Sequence, residues 1–436
     1  MNAPKNADSL LRREIGRVGV ATIAMNGVIG SGIFALPAVA IASAGYFSPW
    51  VFILCGVLII CVALALARAA SFFDITGGPI VYTTHAFGRY VGFQTGLLIY
   101  VSRVAAIAAS ATLIVSYGAA IWSPLAGGLP RIMAIAAYVF LATILNAGGV
   151  RTGMIAVYLV SILKLLPLVL LVLVGAPSIE WGLVVGADVV DSGTLGETML
   201  VLMYAFIGFE FSLINAGETR NAKAAIPKML VMTVASVAIF YTLIQLIAVS
   251  VGPDLGDSEA PLVELAERLM GPLGAIALGL GVVFSVGGGS LTSFVTAPRL
   301  TFALARDGSL PAWFGRVSER TGAPVNSIIF CGLLCFALAI SQGFVWLVTL
   351  STFIRLVVYL LCIGSLPRIE KSLPEEQDQF KLPGGLAIPT VGFLLTVWLI
   401  SHSTFENFSI AAVIVLIGTG VFWVSTRRND GAEITP

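Results

Sequence analysis

The groups in this chain best placed to do chemistry belong to the backbone. Between Gly27 and Ala38 the sequence reads GVIGSGIFALPA, which sets Gly27, Gly30, Ser31 and Gly32 inside an apolar stretch running from about Val18 to Ser43. That stretch is long enough to cross a bilayer at ~1.5 Å per residue. Glycines are poor material for a helix meant only to span: each costs roughly 1 kcal/mol against alanine and admits φ values that end a helix. In hydrocarbon a broken helix leaves N–H and C=O groups unpaired, and it survives only where protein, water or a ligand satisfies them. A break at this depth is therefore a notch for close helix packing or a binding site. A second interruption is expected in LVLMYAFIGFEFSLINAG, where Gly208 and then Glu210 sit mid-stretch. Ionisable side chains inside apolar stretches are functional candidates by default. Here they are Arg68, Arg103, Lys164, Glu210 and Arg355. Arg103 lies about twelve residues into its stretch, hence ~18 Å deep at the helical rise, where snorkelling to water is difficult.

Other chemistries find less support. Cys55, Cys61, Cys331, Cys335 and Cys362 all fall in apolar stretches. Cys331 and Cys335 stand one helical turn apart, but no histidine or carboxylate lies nearby in sequence to complete a metal set. They read as small apolar fillers. No metal site and no cofactor is expected.

The elements that must hold these groups are membrane helices. Of the 436 residues, 58% are hydrophobic and 11% charged, against roughly 25% charged in an average protein. The net charge of +1, with no basic block, suggests no nucleic-acid partner. Twelve apolar runs of spanning length centre near residues 31, 60, 106, 139, 164, 206, 240, 285, 334, 355, 394 and 417. The ninth and tenth are separated only by Ser341, Gln342 and Gly343, and the eleventh begins among prolines and glycines. Gly77-Gly78-Pro79 and Gly127-Gly128-Leu129-Pro130 mark turns. The first run is too long for a signal-peptide core, so an uncleaved first helix is expected.

With the N-terminus in the cytoplasm and the runs alternating, 18 basic residues fall inside, Lys5, Arg12, Arg13 and Arg151 among them, and only Arg131 and Arg268 outside. A wrong register would not give that bias. Both termini are thus expected in the cytoplasm, with the protein a multi-pass component of a bacterial inner membrane. The loops Ala176 to Glu197 and Gly252 to Pro272 carry nine carboxylates and one arginine. They are either translocated loops short of basic residues or a charge funnel for substrates. The predicted organisation is an N-terminal tail 1–17, a first repeat 18–175, a second repeat 195–366, two further helices over 387–426 and a tail 427–436. The second interrupted run comes five runs after the first. Interrupted segments at corresponding places in two halves point to the binding site of a secondary transporter. Five plus five runs with two appended fits a LeuT-type inverted repeat: an all-α membrane protein of twelve transmembrane helices.

Four motifs in order carry a family resemblance. GVIGSGIFALP in run one, GGPIVYTTHAFG after run two, YAFIGFE followed by AGETRNAKAAIPK at run six, and APRLTFALARDGSLP after run eight together resemble the amino acid–polyamine–organocation (APC) superfamily. The likeness is to bacterial amino acid permeases and covers runs one to ten. It implies that backbone N–H groups around Ile29, Gly30, Ser31, Gly32 and Ile33 point at a substrate carboxylate, helped by the half-helix dipole. It also implies that carbonyls of Tyr204, Ala205, Phe206 and Ile207, beside Gly208, accept from the α-ammonium. Tyr204 and Phe206 are candidate gates, or else core- or lipid-facing aromatics. Ser293 stands near a position where some relatives carry an aromatic, which implies a roomier or more polar pocket. Lys164 in SILKLLPL matches the run-five lysine of sodium-independent members, where the ammonium resembles a substitute for sodium. It is either a proton-coupling switch or a permanently charged strut on run-one carbonyls. Glu210 matches the family's run-six glutamate, titrating during transport or neutralising a basic neighbour. The family often has Ala-Glu where this chain has Ala67-Arg68, so that glutamate's role does not carry over, and Arg68 is expected to snorkel to the cytoplasmic surface.

The resemblance thus implies a secondary-active amino acid transporter working by alternating access, sodium-independent, and proton-coupled or exchanging. Arg103, Lys164 and Arg355 set three cations against one carboxylate. That balance disfavours arginine and polyamines and leans towards neutral or acidic amino acids, with Arg103 a candidate contact. The alternatives are an amino-acid/polyamine exchanger and a non-transporting sensor, although the tails look short for a sensor. A membrane enzyme is a further class, but His85 and His402 fall near opposite faces and form no dyad. The expected partners are a small amino acid, protons and the lipid bilayer. The oligomeric state is open.

Overall fold

A computed structural model describes residues 15–75, 77–147, 154–214, 216, 219–374, 379–382 and 384–430. Lys5, Arg12, Arg13 and Arg151 of the basic count, and the tail ends 1–14 and 431–436, lie outside the described residues. Among the described residues the chain is helical, with one isolated bridge between Ile15 and Thr219.

In order, the helices are α1 (Arg17–Val28), α2 (Gly32–Ala44), α3 (Ser48–Ala70), α4 (Pro79–Phe87), α5 (Arg89–Ile121), α6 (Gly128–Ala147), α7 (Met154–Gly175), α8 (Trp181–Val185), α9 (Ser192–Leu202), α10 (Phe211–Ile214), α11 (Ala222–Val251), α12 (Pro261–Val282), α13 (Gly288–Arg306), α14 (Val325–Ser341), α15 (Phe344–Ser372), α16 (Ala387–Ser401) and α17 (Phe405–Asp430). Among the described residues, eight helical stretches are long and apolar enough to cross a membrane, and Val325–Ser341 and Ala387–Ser401 are shorter apolar helices.

Local chemistry sets several boundaries. Pro49, Pro79 and Pro261 stand in first turns, where a missing N–H costs nothing. Asp191 caps α9, accepting from Gly193 N at 2.9 Å and Thr194 N at 3.1 Å. Gly88, at φ 88°, ends α4 and turns the chain into α5. The narrow separation expected after Ser341 is real: α14 stops there and Phe344 opens α15. Gly271, at φ 68°, kinks α12 just ahead of Pro272.

Two long helices form the interior, α5 packed along α15, with α3 packed along α11 beside them. α6 and α17 leave most of their apolar surface uncovered, as at Phe140, Leu141, Leu416 and Val424. So much exposed apolar area would be a liability in water and is what a helix facing lipid requires.

Candidate functional site

Both expected interruptions are present. α1 ends at Val28, Ile29 leaves helical geometry at ψ 83°, and α2 begins at Gly32. The carbonyls released by this break are taken up by side chains from three directions. Tyr241 of α11 donates to Val28 O at 3.2 Å. Lys164 of α7, fully buried, donates through Nζ to Ile29 O at 2.6 Å and Asn26 O at 3.1 Å. The Ser285 hydroxyl, in a short π-helical stretch between α12 and α13, reaches Ile29 O at 3.3 Å and Gly30 O at 3.5 Å. The amide side of the break differs. Ser31 stands at the N-cap of α2, but its hydroxyl does not cap. It bonds instead to the Tyr204 hydroxyl at 3.0 Å, and the Ser110 hydroxyl donates to it at 3.4 Å. The first N–H groups of a helix have no intrahelical partner. Those of α2 therefore carry their positive dipole end without a side-chain cap. Beside Gly30 there is room, since no atom lies within 4 Å of where a Cβ would stand.

The second interruption runs from the end of α9 at Leu202 through a tight 3-10 turn, Met203–Phe206, to extended Ile207 and Gly208 at φ 120°. α10 then resumes at Phe211. The two breaks meet backbone to backbone. A Cβ on Gly27 would collide with the Gly208 carbonyl, and one on Gly208 with that of Gly27. A Cβ on Gly32 would stand 2.7 Å from Ala205 Cα. Glycine is needed at both contacts for the close approach, and at Gly208 for the positive φ as well.

Charged groups lie next to this junction. Glu210 Oε1 pairs with Arg355 Nη1 at 2.6 Å, while Oε2 accepts from the Tyr359 hydroxyl and from Gly208 N, each at 3.0 Å. Arg355 Nε also donates to Ser102 Oγ at 3.2 Å, so Arg355 serves the glutamate and α5 rather than carbonyls of its own helix. Arg103, 2% exposed, stacks over the Phe211 ring at 4.4 Å. Its Nε and Nη2 are buried without a hydrogen-bond partner among the described residues.

The structure therefore brings Ile29, Gly30, Ser31, Gly32, Tyr204, Ala205, Gly208, Lys164 and Glu210 together, with Arg103 adjoining through Phe211. Ile33 is fully buried at the start of α2. Other candidates fare differently. The Tyr204 carbonyl already accepts from Ile207 N at 3.3 Å. Phe206 packs between Phe52 and Tyr241, at 6.3 and 5.4 Å between ring centroids, in the core against α3 and α11. Ser293 is half-buried and lies eight residues along from Ser285, which makes the contact with the break. Arg68 does not snorkel free: it bonds to Glu370 at 2.8 Å and to Phe380 O at 2.9 Å.

Sequence reasoning passed over Ser110, Tyr241 and Tyr359. Two of these had a signal: Ser110 follows Arg103 by seven residues and Tyr359 follows Arg355 by four, so each shares a helix face with a flagged arginine. The acidic-funnel reading is weakened by Asp254, which is held by Arg268 at 2.6 and 2.7 Å. Those hydrogen bonds lower its pKa to about 2. Two open clefts, of about 200 Å³ beside Arg68 and Glu370 and about 370 Å³ beside Tyr46 and Asp188, lie away from the breaks.

Comparison with known proteins gives the family. Residues 15–424 match the family described as amino acid permease. An uncharacterized transporter of Mycobacterium tuberculosis (strain ATCC 25618 / H37Rv) is 26% identical over 430 residues, 98% of this chain and 93% of its own. The serine/threonine exchanger SteT of Bacillus subtilis (strain 168) is 23% identical over 440 residues, 97% of this chain and 99% of its own. The putrescine transporter PotE of Haemophilus influenzae is 24% identical over 437 residues, 96% of this chain and 98% of its own.

Proposed function

Because the chain belongs to the amino acid permease family of the APC superfamily, we propose that it carries an amino acid across the membrane by alternating access, without sodium. In this reading the helical segments make twelve crossings: two inverted repeats of five, over 18–175 and 195–366, followed by two more over 387–426. The observation that carries the proposal is the junction of the two broken helices. The uncapped N-terminus of α2 offers amides and a dipole to an α-carboxylate. Carbonyls around Ala205, Phe206 and Ile207 suit the α-ammonium. Ser31, Ser110 and Tyr204 close over the junction through their hydroxyls. A substrate entering beside Gly30 would have to separate these hydroxyls, which couples occupancy to the relation between the halves.

Lys164 supports independence from sodium. Its ammonium and the Ser285 hydroxyl converge on the Ile29 carbonyl, so a protein cation already ties the first break to α7 and the π-helical stretch. Proton symport and exchange both fit this frame, with Lys164 and Glu210 the groups at which coupling would act. The similarity to PotE raises a polyamine as cargo, and it is disfavoured by an interior holding Arg103, Arg355 and Lys164 against Glu210.

The test is uptake of labelled amino acids into proteoliposomes containing the purified protein, in sodium or in choline buffer. Uptake of at least one amino acid at equal rates in the two buffers is expected. Uptake that requires sodium would refute the role given to Lys164, and transport of polyamines in preference to every amino acid would refute the substrate class.

A further inference from the structure

Among the described residues, one buried guanidinium has donor atoms that no hydrogen bond or ion pair takes up. Glu210 has both oxygens engaged, one by Arg355 and the other by Tyr359 and Gly208 N. Lys164 is satisfied by two carbonyls. Arg103 has Arg355 and Glu210 as its charged neighbours and the face of Phe211 as its contact, yet Nε and Nη2 find no acceptor among the described residues. An unpaired guanidinium in a membrane interior is costly to keep. A planar donor fork of this kind is suited to a carboxylate, which it can bind with two parallel hydrogen bonds.

Its position is informative as well. Arg103, Ala106 and Ser110 follow one face of α5. The Tyr204 hydroxyl lies 3.4 Å from Ala106 O, and the Ser110 hydroxyl 3.4 Å from that of Ser31. Arg103 is thus only three residues, about 4.5 Å along the helix, from the level of the junction. Across from it on α15, Thr352 precedes Arg355 by three residues and Tyr359 by seven, and both of those reach Glu210. The Thr352 hydroxyl is likewise buried without a partner. Two polar side chains without partners, on the two helices that flank the junction, mark a place for a second polar group of a ligand held there.

Resting on the transporter reading above, we infer that Arg103 is the subsite for a side-chain carboxylate, and that the substrate is an acidic amino acid carried as its anion. The substrate's backbone is held at the helix breaks, and its distal carboxylate pairs with Nε and Nη2 of Arg103. The bound anion then neutralises a buried guanidinium whose Nε and Nη2 have no hydrogen-bond partner among the described residues. A glutamine-sized neutral substrate would leave that charge bare.

The experiment uses the full-length protein in proteoliposomes, with labelled L-glutamate, L-glutamine and L-arginine as probes. Wild type is expected to take up glutamate in preference to glutamine and to exclude arginine. Arg103→Gln should lose glutamate uptake by about tenfold to a hundredfold, the range for a charged hydrogen-bonding group, while keeping glutamine uptake. Arg103→Lys should fall between the two. Retained glutamine uptake by Arg103→Gln demonstrates a folded carrier. If Arg103→Gln transports nothing, thermal stabilisation of that variant by glutamine but not by glutamate gives the same support. A glutamate-to-glutamine preference unchanged by either substitution, in uptake or in stabilisation, overturns the inference. Wild type that carries glutamine but not glutamate overturns it too, and leaves the transporter reading standing. Wild type that carries no amino acid overturns both. Replacing chloride by gluconate separates the other source of an anion: if that change alone reproduces the Arg103→Gln preference, the guanidinium holds an inorganic anion and the inference falls.

Discussion

Glu210 shows what a single side chain does at this junction. Its carboxylate ties α15 to the second break through Arg355 and Tyr359, and it holds the backbone of Gly208 in place. The interaction with the Gly208 amide spans only two residues, so the glutamate is also a local brace for the extended turn. Removing one member of a buried ion pair leaves the other charged and unanswered. Glu210→Gln is therefore expected to destabilise the protein by about 3 kcal/mol or more, read as an earlier thermal transition of the detergent-purified protein. The paired change Glu210→Gln with Arg355→Met should recover part of that loss. An unshifted transition in the single variant would show that the pair is not holding the break. Lys164 acts differently, because its partners are carbonyls and, among the described residues, no carboxylate bonds it. It satisfies acceptors that the broken helix would otherwise leave bare in hydrocarbon.

At the scale of elements, two helices give up several backbone hydrogen bonds each, and tertiary contacts supply the replacements. On the first break these come from α7, α11 and the π-helical stretch. On the second the replacement is local: Glu210 accepts from Gly208 N and is itself held by Arg355 and Tyr359 of α15. The close approach of Gly27 to Gly208 lets the two breaks face one another, and it leaves no space for even a methyl group. Gly27→Ala and Gly208→Ala should each lower thermal stability and reduce expression, the second more because an L side chain also resists φ 120°. Gly30→Ala meets no atom within 4 Å and should unfold at the temperature of the parent protein. Equal stability for all three variants would mean that the breaks are held apart in solution. Pro227, Pro298 and Pro367 also lie within helices without interrupting them, so the breaks do not simply follow from the presence of helix-disfavouring residues.

For the whole molecule, apolar surface and basic residues together predict how the chain lies in the membrane. A fluorescent protein fused after Pro436 should fold and fluoresce inside the cell, whereas alkaline phosphatase inserted between residues 176 and 191 should be active outside. The reverse pattern would invert the orientation and place the α5 end bearing Arg89 outside. Helix class, the apolar runs and both interruptions were legible in the sequence, because hydrophobicity and glycine content act locally and are counted along one dimension. The short separation at Gln342 and Gly343 was legible for the same reason. The excess of buried cations could also be counted without a structure. Their pairing could not. Glu210 and Arg355 are 145 residues apart, and Ser31 and Tyr204 are 173, so their contact depends on which helices pack together. Phe206, for which the sequence left a gate and a core- or lipid-facing aromatic both open, packs in the core because α3 and α11 present Phe52 and Tyr241 to it. By itself, then, the sequence marked two glycine-bearing stretches of an apolar, membrane-bound chain as places where a helix is weakest, since the cost of glycine is local to the chain. Only the tertiary structure decided that the breaks touch and that, among the described residues, Arg355 pairs with Glu210 while Arg103 does not, because a charge finds its partner through space and not along the chain.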